Sequence, residues 1–140
     1  MTDLELAKNR LMEGGCTFAA CKDGEIISSE KRGIVPLLDI YESGRDLAGF
    51  SCADKVTGKA PALIYVLLGA SCVYGHVMTR DAVRIMEDAG IVVSYDISAD
   101  KIINRAGTDI CPMEKAVADT DDPLEAVSAV RAKLTEMGIS

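Results

Sequence analysis

Apolar positions recur along this chain with two different periods, and their alternation lays out an α/β order. Leu4, Ala7, Leu11 and Met12 fall on one helical face. Thr2 and Glu5 have capping-box spacing ahead of them, and Gly14-Gly15 stops the run. Residues 16–21 and 25–28 read as short strands, and the Asp23-Gly24 pair between them predicts a hairpin, because that turn needs the positive φ that glycine tolerates. Residues 33–43 suit a short helix with Pro36 in its first turn. Residues 47–53 read as a short strand or loop, and 54–59 as a polar loop. The next run, 60–68, is apolar on every side and predicts a buried helix ended by Gly69, although β-branched Ile64 and Val66 leave a buried strand open. A strand over 72–78, a helix over 80–89 capped by Thr79 and a strand over 91–95 form a βαβ unit, which implies parallel pairing. Residues 101–107 read as a short strand ending in a turn. Cys111-Pro112-Met113-Glu114 opens a short helix and Asp122-Pro123-Leu124-Glu125 the last one. The simplest architecture is a mixed sheet with helices on both faces, one domain over residues 1–140.

Composition narrows the function. The chain of 140 residues carries a net charge of −7 and no basic stripe, so nucleic acid is not an expected partner. The longest apolar run is too short to span a bilayer, so no membrane partner is expected either. The first residues lack the basic end and apolar run of a signal peptide, which predicts a cytoplasmic protein with reduced thiols. There are five cysteines, none spaced Cys-x-x-Cys, and one histidine, so neither a disulfide framework nor a metal site is expected.

Two segments carry a resemblance. Asp54-Lys55-Val56-x-Gly58-Lys59-Ala60 and Asn104-Arg105-x-Gly107-Thr108-x-x-Cys111-Pro112-Met113-Glu114 resemble those of a family of small bacterial and archaeal proteins of unknown function, whose fold is similar to that of cytidine deaminase. The resemblance covers nearly the whole chain and implies a cytidine-deaminase-like, three-layer α/β/α fold. Zinc deaminases place His-x-Glu or Cys-x-Glu at the start of the buried helix and Pro-Cys-x-x-Cys at the start of the next. Here the first place offers Cys52-Ala53-Asp54 or Asp54-Lys55, and the second Met78-Thr79-Arg80-Asp81. Neither supplies the three ligands that a catalytic zinc needs, so zinc-activated hydrolytic deamination is not expected.

Three polar segments at element ends stand out from the apolar background. Cys111 sits where an N-cap would be, beside backbone N–H groups that favour a thiolate, and is the candidate nucleophile. Glu114 stands at the capping-box position of the same helix and, with Asp54, is a candidate acid or base. Lys55, Gly58 and Lys59 precede the buried helix and could hold an anion at its N-terminus. Asn104 and Arg105 precede a glycine turn, where the planar Arg105 fork suits a carboxylate or phosphate. His76, alone in mid-strand, reads as a packed or surface residue. These segments predict a cofactor-free site for a small polar or anionic molecule, nucleoside-like compounds among the candidates, with metal-independent cysteine chemistry of the hydrolase or transferase type. The alternatives are a non-catalytic ligand-binding or regulatory module, and a structural protein acting as a homo-oligomer.

Overall fold

The computed structural model describes residues 1–104 and 106–139. Helix α1 (Asp3–Glu13) opens as its sequence requires: the Thr2 hydroxyl accepts the Glu5 amide at 3.1 Å. A hairpin follows, β1 (Phe18–Lys22) and β2 (Glu25–Ser29), turning at Asp23 and Gly24, with φ of 48° and 88°. Positive φ at both central residues is the hairpin geometry that an Asp-Gly pair supplies.

Helix α2 (Val35–Glu42) has Pro36 in its first turn and leads to β3 (Ser51–Thr57). Helix α3 (Lys59–Leu68) returns the chain to β4 (Cys72–Thr79), and α4 (Arg80–Asp88) to β5 (Val92–Ala99). The short α5 (Pro112–Ala116) and the longer α6 (Pro123–Glu136) close the order. The sheet is mixed, in the order β2-β1-β3-β4-β5. Strand β1 is antiparallel to both β2 and β3, whereas β3, β4 and β5 run parallel. The predicted βαβ unit is thus present, and β3-α3-β4 forms a second one.

Two expectations change. Residues 54–57 are strand and not loop, because β1 and β4 both offer ladder partners there: Asp54 stands opposite Phe18 and Gly75, and Thr57 opposite Met78. Residues 101–104, 106 and 107 belong to no strand of the main sheet. They begin an excursion closed by the bridge between Ile103 and Ile110, with the Cys111 amide donating to the Ile102 carbonyl at 2.9 Å.

Burial divides the core into two layers. On one sheet face α1 packs Ala7 and Leu11 against Ala19, Ala53 and Tyr74. The larger core on the other face gathers α2, α3, α4, α5 and α6 around Leu63, Ile64 and Tyr65 of α3. The apolar run 60–68 is a helix because it lies buried between the sheet and α6, where every face meets a partner. Gly69 ends it in the left-handed region, at φ 75°.

Candidate functional site

The carboxyl end of β3 and the start of α3 border a cavity of ≈ 630 Å³. The carboxyl ends of parallel strands are where open α/β sheets leave room for ligands. Asp54, Lys55, Val56 and Gly58 form one side, Cys111, Met113 and Glu114 another, and Thr17 and Arg32 contribute from the β1 and α2 ends.

Asp54 is the buried acid of this cavity. Its place on β3 turns the carboxyl toward α3, where the Tyr65 hydroxyl donates to it at 2.9 Å. The residue is only 8 % exposed. Burial pushes its pKa up to about 7, against the downward pull of the Tyr65 hydroxyl and of the Lys55 and Val56 amides. A carboxyl poised there exchanges a proton near neutral pH, as a general acid or base must.

The start of α3 explains Gly58 and Glu114 together. The helix has Gly58 at its N-cap, with no side-chain capping bond of its own. The Glu114 carboxylate arrives from α5 and accepts the Lys59 amide at 2.7 Å and the Ala60 amide at 2.8 Å. Pro61, next in line, has no amide to satisfy. A Cβ at residue 58 would stand 2.2 Å from Glu114 Oε1, so glycine is required for the approach. Burial raises the Glu114 pKa, while the two amides and Lys59 oppose the rise. Glu114 therefore does not close a capping box in its own helix: it caps α3. The anion site expected at Gly58 and Lys59 is filled by the protein's own carboxylate.

The remaining predicted residues separate. Lys55 lines the cavity, but Lys59 does not. The Lys59 ammonium is held by Asp121 at 3.0 Å and by the Ala118 carbonyl at 3.2 Å, against the segment joining α5 to α6. Asn104 folds its own turn, its Oδ1 accepting the Thr108 and Asp109 amides at 3.1 and 3.4 Å. It faces a neighbouring chamber with Cys111. Arg105 lies outside the described residues. Cys111 is the N-cap of α5, as predicted, yet its sulfur makes no capping hydrogen bond, so the anticipated support for a thiolate is not visible. Its half-buried side chain lines the cavity shared with Asp54.

Sequence reasoning missed Tyr65, Thr17 and Arg32. Tyr65 had a signal, as the sole hydroxyl in the apolar run 60–68. Thr17 and Arg32 reach the site only through the folding of the hairpin and the approach to α2. On the α1 side of the sheet, the Asp96 carboxylate accepts from the Tyr74 hydroxyl and lies 3.1 Å from His76 Nδ1. These two bonds hold Asp96 below the usual carboxylate range, while burial and Asp96 push Tyr74 up to about 12.

A family model described as TM1506, a domain of unknown function (DUF1893), matches residues 6–134. The chain belongs to the DUF1893 family. A crystal structure of a DUF1893 protein, TM1506 of Thermotoga maritima, is similar to it with a TM-score of 0.86 at 26% identity, covering 94% of this chain and 89% of that one. No curated protein matches the chain. For DUF1893 the zinc of the resembled deaminases can be tested against the residues present. The start of α3 presents Lys59 and Ala60 with Glu114 already bonded to their amides. At the start of α4 the Thr79 hydroxyl accepts the Ala82 amide at 3.2 Å, and Arg80 pairs with Asp100 at 3.4 Å. Among the described residues no three His, Cys, Asp or Glu side chains gather at metal-binding distance. This donor set does not fit a catalytic zinc.

Proposed function

We propose that this DUF1893 protein binds a small polar molecule in the cleft at the carboxyl end of β3, with Asp54 exchanging a hydrogen bond or a proton with it. The observation that carries the reading is a buried carboxyl, titrating near pH 7, on the wall of a ≈ 630 Å³ cavity. The polar groups around it favour a ligand with donors facing Asp54 and any negative group facing Lys55 and Arg32 at the rim. The deaminase likeness belongs to this reading as well. A mixed five-stranded sheet with helices on both faces, and a cavity where the central helix begins, support it.

The test is thermal denaturation of the wild type and of Asp54→Asn with adenosine, cytidine and their monophosphates at millimolar concentration. A rise in Tm with at least one probe, reduced by the substitution, is expected. No rise with any of them, or an equal rise in both proteins, contradicts the reading.

A second reading adds chemistry. Cys111 shares the cavity with Asp54, so a thiol nucleophile and an acid or base face the same bound molecule. It predicts a metal-independent hydrolase or transferase. The discriminating measurement is the rate of Cys111 alkylation against pH: a catalytic thiol titrates well below about 8.5, and a thiol of ordinary reactivity leaves a binding module.

A further inference from the structure

The cleft does not end at Cys111. Beyond it lies a second chamber of ≈ 850 Å³. Arg32, Gly33, Ile34, Cys111 and Met113 line both chambers, so the two adjoin at a shared collar. The buried carboxyls lie on one side of that collar. The inner chamber holds the Asp54 and Glu114 carboxyls. The outer one is walled by Val35, Ile103, Pro112, Leu134, Met137 and Ile139. Ile103, Met137 and Ile139 are 45%, 47% and 41% exposed, though they converge on one concave space from two distant stretches of chain. Large apolar side chains left open singly on a convex surface need no explanation; gathered in a concavity beside the Asp54 cavity, they suit an apolar group of a ligand.

We infer that the ligand is amphipathic: a polar head bonded to Asp54 in the inner chamber, joined past Cys111 to an alkyl or acyl arm in the outer one. The inference rests on the polar-ligand reading above and adds the ligand's class. The collar supports it. Cys111 lines both chambers, which places it where head and arm would join. The head chamber supplies orientation through few hydrogen bonds, and the arm chamber supplies affinity through burial.

The probes are N-alkanoyl-N-methylglucamines, which keep one neutral polyhydroxyl head while the arm grows from acetyl to decanoyl. Binding to the chain of 140 residues is measured by calorimetry below the micelle threshold. In parallel, iodoacetamide labelling is read by mass spectrometry at Cys111, with Cys72 at the opposite end of β4 as the internal reference. Affinity is expected to rise about three- to fourfold per added methylene until the chamber is full, then level off. Occupancy should slow labelling of Cys111 and leave Cys72 unchanged. Met137→Asp and Ile103→Asp, both at exposed positions and each serving if the other fails to fold, should flatten the dependence on arm length and spare the acetyl member. Asp54→Asn should weaken every member by a similar factor.

Affinity independent of arm length, with binding of the acetyl member still sensitive to Asp54→Asn, overturns the amphipathic ligand and leaves the polar-ligand reading standing. Affinities that rise with arm length and that Asp54→Asn leaves unchanged in every member overturn the polar-ligand reading, and with it the two-part ligand. Binding of no member overturns the inference, as does a dimer dissociated by Met137→Asp in a protein without arm-length dependence, since a second copy would then be what covers the chamber.

Discussion

Burial holds the Asp54 carboxyl at about 7, against an ordinary value of 3.8. Between those values the folded protein binds more protons than the unfolded chain at this site, so stability falls as pH rises through the window. Above about 7 both states are ionised and the loss is complete. Every tenfold difference in proton affinity between the folded and unfolded states corresponds to about 1.4 kcal/mol. Asparagine at residue 54 keeps an oxygen for the Tyr65 hydroxyl and removes the titration. Asp54→Asn is therefore expected to gain stability over the wild type as pH rises from about 5 to about 8, read from urea midpoints. A constant difference between the two proteins across that range would show that Asp54 does not titrate there. Cysteine accessibility gives a second prediction at this scale. Cys111 and Cys72 are partly exposed while Cys16, Cys21 and Cys52 are buried, so the native protein should take up iodoacetamide at the first two alone. Labelling of Cys52 without unfolding would contradict the packing around β3.

At the scale of elements, α5 and α3 are joined through one carboxylate. Glu114 and Gly58 serve the same contact, so removing either removes both amide bonds. Glu114→Ala and Gly58→Ala are each expected to cost about 1.5–3 kcal/mol, as for hydrogen bonds to a charged group. The double substitution should cost little more than one of them, because there is only one interaction to lose. Additive losses in chemical denaturation would mean that the two residues act independently. This contact also marks where sequence reading fails. Glu114 lies 54 residues from the Ala60 amide that it accepts, and no local pattern encodes that distance. The Cys-Pro-x-Glu spacing satisfies a capping box within α5 just as well, so the local rule gives the wrong partner. Asp54 is legible as a polar residue of interest, but its surroundings read as a loop, since a buried acid in mid-strand runs against alternation until Tyr65 is known to receive it. Lys59 is legible as a cation near the helix start, and its actual partner, Asp121, arrives only when α6 packs.

For the whole molecule, the elements and most of their order are legible because their signals are local: caps, Asp-Gly turns, and an apolar run long enough for one buried helix. The strand neighbours are less so. That β1 lies between β2 and β3 depends on a return across the sheet edge, and β5 extends to Ala99 only because the end of β4 offers partners to Ser98 and Ala99. The two core layers are unequal. Helix α1 alone covers one face and buries Ala7 and Leu11, whereas the other face is shared by five helices. Hydrogen exchange should accordingly find α1 amides opening at lower free energy than those of β3, β4 and α3. Leu11→Ala, at about 2–5 kcal/mol for a buried leucine, should loosen α1 before the rest. Equal protection in all layers would show a single cooperative unit. The collar at Cys111 has a practical consequence for testing the proposed two-part ligand. A thiol at the junction of two chambers is an attachment point from which a disulfide-linked fragment can extend inward to Asp54 or outward to Met137. A library tethered there would sample both halves of the cleft from one anchor, sorting head groups and arms separately before the natural molecule is known.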